Sequence, residues 1–289
     1  MSRRYDCSDP MERTRGIAEA VSAVRRGELI VLPTDTVYGI GADAFTPSAV
    51  TGLLNAKGRG RDMPPPVLVG SVRAAAALID DLGTYGQDLI DEFWPGALTI
   101  VCRANPNLMW DLGETKGTVA VRMPMDTLAV ELLKETGPLA VSSANLSGQP
   151  AARDADEAEA MLGDSVEVYL DGGPVAQGEA STIVDITGPI PRLLRLGAIS
   201  EDKIRAVVGV LLTDEDDVKP DDTEIAVAAD PAAQQDAAPA KTGAEDASVN
   251  GVAATSAEKA EAVSEAQRPE APAGDPKPAP REDGPSTAS

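Results

Sequence analysis

The stretch GPLAVSSANLSGQP, residues 137–150, ends a short apolar run and follows it at once with three serines, an asparagine and a glycine. A buried strand that stops on hydroxyls and an amide has two readings. A turn accounts for the polar residues, since Ser, Asn and Gly are common turn formers that bond their own backbone. A ligand pocket accounts for them together with the strand, because α/β domains hold ligands at strand ends. The local pattern leaves both open.

The flanks decide the fold. Before the stretch, DTLAVELLKETG reads as a helix with Asp126 as its cap and Gly137 as its terminator. After it, DADEAEAML (residues 154–162) reads as a short helix. Further out, helices are expected over 11–26, 46–57, 71–82, 87–94 and 200–212, and strands in ELIVLP, VLVG, ALTIVCR and GTVAVRMP. Thr46 and Pro47 make the cap and first position of one helix, and Ser71 caps the next. Three late strands, VEVYLDGG, STIVDIT and PRLLRLG, cluster before the closing helix. Helices and strands alternate and then strands gather. That pattern predicts a single α/β domain with a twisted, mixed sheet flanked by helices and a partly antiparallel end.

Composition sets where that domain stops. Of the 289 residues, the last aromatic is Tyr169, and residues 211–289 hold 18 Asp+Glu against 6 Lys+Arg. So few large apolar groups cannot offset about 1–2 kcal/mol per residue of backbone ordering. The expected division is an N-terminal extension over 1–12, one domain over 13–212 and a disordered acidic Ala/Pro-rich tail over 213–289.

Several chemistries are excluded. The chain has no histidine, which removes Ser-His-Asp and Cys-His catalysis and imidazole ligands. Cys7 and Cys102 are too few for a thiolate zinc site or a disulfide framework. The N-terminal residues are basic but lack an apolar stretch, and no run approaches a membrane span, so a cytoplasmic protein without a membrane partner is expected. A net charge of −22 argues against non-specific binding to nucleic acid or anionic lipid, so any polyanion must meet a local basic cluster.

Four stretches can carry chemistry. LPTDTVYGIGADA places Thr34, Asp35 and Thr36 after a strand, with Gly39 and Gly41 free to turn or to approach a ligand. KGRGRDMPPP sets Lys57, Arg59 and Arg61 on glycine-spaced positions that suit an anion, and no GxxxxGK[ST] accompanies it. Ser142, Ser143, Asn145 and Ser147 supply neutral polar groups. Arg122, Arg192 and Arg195 lie at strand ends, beside Ser181 and Thr182. Each pattern also fits an ordinary turn, a solvated loop or an exposed sheet edge.

In order, PTDTVYGIGADA, AKGRGR, FWPGALTIV, TVAVRMP, SSANLSGQPA, STIVDIT and LLRLGAIS resemble the YrdC-like family of L-threonylcarbamoyladenylate synthases, over about residues 14–208. The resemblance implies a reaction that joins L-threonine, bicarbonate and ATP into threonylcarbamoyl-AMP and pyrophosphate. The product serves a tRNA threonylcarbamoyl transferase complex that modifies tRNAs reading ANN codons. It implies Mg²⁺ carried with ATP and no protein-bound metal. The family's KxR and SxN tetrad falls on Lys57, Arg59, Ser143 and Asn145 as catalytic residues. Thr36, Arg122, Ser143 and Ser181 correspond to threonine contacts, and Lys57, Arg59, Thr118, Asn145 and Arg195 to ATP contacts. Lys57 and Arg59 are expected on an exposed loop, so that alanine at either should stop the reaction and spare the fold. The chain departs from the usual pattern at Glu92 and Ser142, where His and Pro are common. It departs again past VLVG, where Gly70 and Ser71 stand in place of a histidine that touches threonine and leave room for water.

Two other functions compete. One is a non-catalytic module binding double-stranded RNA or nucleotide, opposed by the acidic composition and the scarcity of aromatics. The other is a carbamoyl-adenylate enzyme with another acceptor, as in hydrogenase maturation, whose Cys and His motifs are missing here.

Overall fold

Side-chain caps mark most helix starts in the computed structural model, which describes residues 2–176 and 178–213. Strand β1 (Arg3–Asp6) leads into helix α1 (Pro10–Arg25), where Asp9 accepts from Met11 N and Glu12 N at 2.8 and 2.9 Å. Strands β2 (Ile30–Leu32) and β3 (Gly39–Asp43) precede α2 (Pro47–Lys57), which Gly58 closes in the left-handed region at φ 64°. Next come β4 (Val67–Leu68), α3 (Val72–Leu78), β5 (Ile79–Asp81), α4 (Gly86–Phe93), β6 (Leu98–Ala104) and β7 (Thr118–Arg122). Helix α5 (Thr127–Thr136) begins where Asp126 accepts from Ala129 N at 2.8 Å. Strand β8 (Leu139–Ser143), α6 (Ala155–Leu162), β9 (Val168–Asp171), β10 (Thr182–Asp185), β11 (Arg192–Arg195) and α7 (Glu201–Val208) complete the order.

The strands form one mixed sheet in the order β1-β9-β2-β3-β8-β4-β7-β6-β10-β11, with β5 added beside β6. The pairs β1/β9, β9/β2, β4/β7 and β6/β10 are parallel, and the rest are antiparallel. Three apolar clusters hold helices to the sheet. Ile17, Val21 and Val24 of α1 and Leu128 and Leu132 of α5 pack with Ile30, Leu139 and Val168. Leu53 of α2 and Leu162 of α6 pack with Val31, Ile40 and Tyr169. Leu78, Leu89, Ile90 and Ile204 pack with Ile100, Val119 and Val121. Each such aliphatic side chain contributes about 1.5–3 kcal/mol on burial.

The expected single α/β domain with a mixed sheet is what forms, and three local readings change. Residues 39–43, where a turn or a close approach to a ligand was open, are the interior strand β3. Gly39 is there for close packing, since a Cβ on it would stand 2.6 Å from Val141 Cγ1. The helix expected over 71–82 stops at Leu78, and Ile79 turns extended to pair with Ala104. β-branched Ile79 and the two aspartates after it are weak helix formers. The first twelve residues, read as an extension, supply edge strand β1. Four mostly polar residues carry no hydrophobic signal of a strand. The acidic tail from residue 214 onward lies outside the described residues. Among the described residues no helix is long and apolar enough to cross a membrane.

Candidate active site

Alternation along the central strands builds the site. On β6, Leu98, Ile100 and Cys102 face the helices, and so do Val119 and Val121 on β7. With a period of two, Thr99 and Val101, and Thr118, Ala120 and Arg122, turn to the other side. There they line a cavity of about 420 Å³ with Val141 and Ser143 of β8, Ile183 of β10 and Arg195 of β11. The loop after β2 closes one end with Thr34 and Thr36, and Arg59 with Pro64, Pro65 and Pro66 closes another.

Three guanidinium groups enter this cavity, which holds them within a chain of net charge −22. Arg122 is 5 % exposed and fixed on three sides. It donates through Nε to Gly96 O at 2.9 Å, and through its terminal nitrogens to Thr36 Oγ1 and Asp35 Oδ1, both at 2.8 Å. Burial still pulls its pKa below the ordinary value and outweighs Asp35. Arg195 donates to Ser181 O through Nε and Nη2 and to Ser181 Oγ at 3.1 Å. Burial lowers its pKa, and Arg122 and Arg59 push the same way. Arg59 donates to Ser142 Oγ and Ser147 Oγ, each at 3.1 Å. Guanidiniums crowded enough to oppose each other's charge form a receptor for carboxylate or phosphate.

The hydroxyl hydrogens point the other way. Thr34 Oγ1 donates to Val37 O at 2.6 Å, so across its 2.9 Å contact Thr36 is the donor and Thr34 the acceptor. Thr118 Oγ1 donates to Thr115 O at 2.8 Å. Ser143 Oγ donates to Asn145 Oδ1 at 2.5 Å. Each has spent its hydrogen on the protein and keeps acceptor capacity toward the cavity, Thr36 with one lone pair already taken by Arg122. Anionic groups therefore meet the arginines, and N–H or O–H groups meet Thr36, Thr118 and Ser143.

Of the residues singled out in the sequence, Thr36, Arg59, Thr118, Arg122, Ser143, Ser181 and Arg195 come together on the cavity wall. Lys57 and Asn145 stand behind it, 1 % and 5 % exposed. Lys57 ends α2, as the helix read over 46–57 has it, but its expected exposure is corrected: the side chain is buried. Gly58, left-handed at φ 64°, turns the chain so that Lys57 faces inward and Arg59 reaches the cavity. Neither Gly70 nor Ser71 lies on the wall of this cavity. A Cβ on Gly70 would meet the Lys134 backbone at 3.0 Å, and Ser71 Oγ caps α3 by accepting from Ala74 N at 3.1 Å.

Sequence reasoning missed Asp35 as the carboxylate that holds Arg122, and Thr99, which shares a 2.9 Å hydrogen bond with Ser181. The signal for Thr99 was a hydroxyl inside an otherwise apolar strand. Arg61, grouped with the anion-binding cations, instead pairs with Asp111 at 2.6 Å and ties two loops of the wall together. Among the described residues no group of three or more Cys, Asp or Glu side chains could hold a metal ion. Asp35, the carboxylate beside the cavity, is taken by Arg122.

Gly197 shows how tightly Arg195 and Ser181 are set. A Cβ there would lie 2.2 Å from Ala180 O and 2.8 Å from Ser181 O. Gly197→Ala is expected to cost about 1–3 kcal/mol of stability through overpacking and so to lower the melting temperature, since backbone cannot yield as a flexible side chain can. It should also displace Arg195 and Ser181 on the cavity wall. Thermal melts check this, and an unchanged variant would show the segment to be slack.

Comparison with known proteins gives a consistent picture. The Sua5/YciO/YrdC family model, described as "telomere recombination", matches residues 22–197. A Mycobacterium tuberculosis protein provisionally named a threonylcarbamoyl-AMP synthase is 55 % identical over 210 residues, covering 73 % of this chain and 97 % of the relative. The Bacillus subtilis threonylcarbamoyl-AMP synthase is 38 % identical over 201 residues, covering 68 % of this chain and 58 % of the relative. Among solved structures, Pyrococcus abyssi Sua5 complexed with L-threonine matches with a TM-score of 0.66 at 34 % identity. That match covers 68 % of this chain and 58 % of the archaeal one, so the chain spans little more than half of the archaeal protein.

Proposed function

The chain belongs to the Sua5/YciO/YrdC family, and from that premise we infer that it is a threonylcarbamoyl-AMP synthase, an ATP-using transferase of tRNA modification. The observation that carries the reading is the convergence of Arg59, Arg122 and Arg195 with acceptor hydroxyls in one cavity of a histidine-free chain. Threonine, bicarbonate and ATP are all anionic or carboxylate-bearing, and none needs an enzyme nucleophile to react. The amine of threonine captures bicarbonate as a carbamate with loss of water. A carbamate oxygen then attacks the α-phosphorus, the bond to the β-phosphate oxygen breaks, and pyrophosphate leaves. What this chain supplies is position and charge.

Arg122, held by Asp35 and Thr36, would bind the threonine carboxylate, with Ser181 at its side. Arg195 and Thr118 would hold the nucleotide. Arg59, on a backbone that bends at Gly58, would balance the charge of the phosphates as pyrophosphate departs. Mg²⁺ would arrive on the nucleotide, because the donors here are arginines and hydroxyls and do not fit a protein-held cation. The domain over residues 13–212 would carry the activity in the cytoplasm. The product is a mixed anhydride that water destroys, so a tRNA threonylcarbamoyl transferase would consume it. A non-catalytic RNA-binding role would call for cations on an outer strip, whereas Arg122 and Arg195 turn inward.

The test is pyrophosphate release from ATP and Mg²⁺, with bicarbonate and L-threonine each present or withheld. Release should require both. Release indifferent to threonine, or none, would overturn the reading.

A further inference from the structure

Lys57 has three N–H groups, and the protein takes all of them. They go to Ser143 O, to Asn145 O at 2.7 Å and to Asn145 Oδ1 at 2.9 Å. Among the described residues no carboxylate pairs with it, and Arg59 is the charged group that bears on it. Lys57 O also accepts from Ser147 N at 3.0 Å, so one residue grips the segment after β8 from both its backbone and its side chain.

Asn145 is as firmly set. Its Nδ2 donates to Leu146 O at 3.0 Å and Gln149 O at 2.5 Å, which turns Oδ1 toward Lys57 and Ser143. A carbonyl oxygen only accepts, so Ser143 must be the donor in the 2.5 Å contact between them.

We propose that Lys57 is a positioning residue that never meets substrate: through Asn145 it keeps the Ser143 hydroxyl hydrogen turned inward, so Ser143 meets the substrates as a hydrogen-bond acceptor. The identity of those substrates rests on the synthase reading. A lone pair at Ser143 repels a phosphate oxygen and suits an N–H or O–H donor, such as the amino-acid nitrogen that must be aimed at bicarbonate. The lysine and arginine two residues apart thus divide the labour, with Arg59 facing the anions and Lys57 setting the polarity of the wall.

The unaltered protein tests this first. Acetic anhydride at pH 8, read by mass spectrometry, should label exposed Lys116, Lys134 and Lys203 and leave Lys57 about tenfold or more slower, with or without ATP. Burial pulls the Lys57 pKa below that of the exposed lysines, so its charge does not account for slower labelling. Labelling of Lys57 at the rate of the exposed lysines overturns the proposal. The second arm is a cycle of Lys57→Met, Ser143→Ala and the double variant. Lys57→Met should lower kcat/KM by about 10²-fold, the cost of a misplaced reacting group. The double variant should fall within about threefold of the worse single one, because both remove the same interaction. Losses that multiply would mean Lys57 touches substrate itself. If Lys57→Met does not fold, the labelling decides alone. Labelling does not depend on turnover, so an absence of threonine-dependent pyrophosphate release would count against the synthase reading and not against this one.

Discussion

Arg122→Ala is expected to lower kcat/KM for threonine by about 10²–10³-fold, the usual cost of removing one preorganised donor to a developing or bound anion. It should also lower the unfolding free energy by about 3–5 kcal/mol, because it strands a partner carboxylate in the interior. Both effects follow from the same three bonds. The guanidinium meets Asp35 at side-chain exposures of 6 % and 12 %, too dry for water to replace the lost partner. Asp35 Oδ1 also accepts from Met125 N at 2.9 Å, so any shift of the stranded carboxylate is passed to the loop after β7. Asp35→Asn separates the two roles. The amide keeps the shape and both acceptor contacts but drops the charge, leaving Arg122 uncompensated. That variant should melt lower than the wild type when free and gain more from saturating threonine, whose carboxylate would supply the missing anion. A wild-type threonine affinity in Arg122→Ala would move the carboxylate site away from β7.

The ease with which β7 was read, and the difficulty of Asp35, have one cause. GTVAVRMP shows its strand in alternation alone, and a period of two already puts Arg122 on the side of Thr118 and away from Val119 and Val121. That its partner would be Asp35 depends on β4 and β8 bringing the loop after β2 within 2.8 Å, which is a matter of strand order. No local pattern encodes that order. Strand β3 was hidden for the opposite reason. GIGAD has the composition of a turn, and Gly39 is needed because Val141 on the neighbouring strand occupies the space where a side chain would go. The cluster of Ser142, Ser143, Asn145 and Ser147 was legible as an unusual strand end. Its inner workings were not, since Lys57 reaches it from 86 and 88 residues away in the chain. The helix ending at Lys57 was legible in TPSAVTGLLNAK. That the lysine turns into the core was not, because the left-handed Gly58 sets that direction.

Burial of Lys57 also makes a prediction about pH. Its pKa falls from an ordinary 10.5 to about 7, burial being the larger cause and the charge of Arg59 the smaller. In the unfolded chain the amine keeps its proton up to the ordinary value. Between pH 7 and 10 the unfolded state therefore binds more protons than the folded one, and stability from this group rises with pH. Below pH 7 both states are protonated and the contribution is flat. Lys57→Met takes a donor from three carbonyl oxygens; Ser143 O keeps Asn145 N and Asn145 Oδ1 keeps Ser143 Oγ, so the loss falls mainly on Asn145 O, at about 1–3 kcal/mol, and the variant should be weaker overall. Its absolute stability thus says little about charge, but its slope does. From pH 7 to 10 the wild type should gain on Lys57→Met by about 1.4 kcal/mol per pH unit, as one titrating proton requires. Urea unfolding at matched ionic strength measures the difference. Parallel curves would mean that the three carbonyl oxygens outweigh the lost hydration and keep Lys57 charged in the fold. In that case its hold on Asn145, and through it on Ser143, would persist unchanged across the same range of pH.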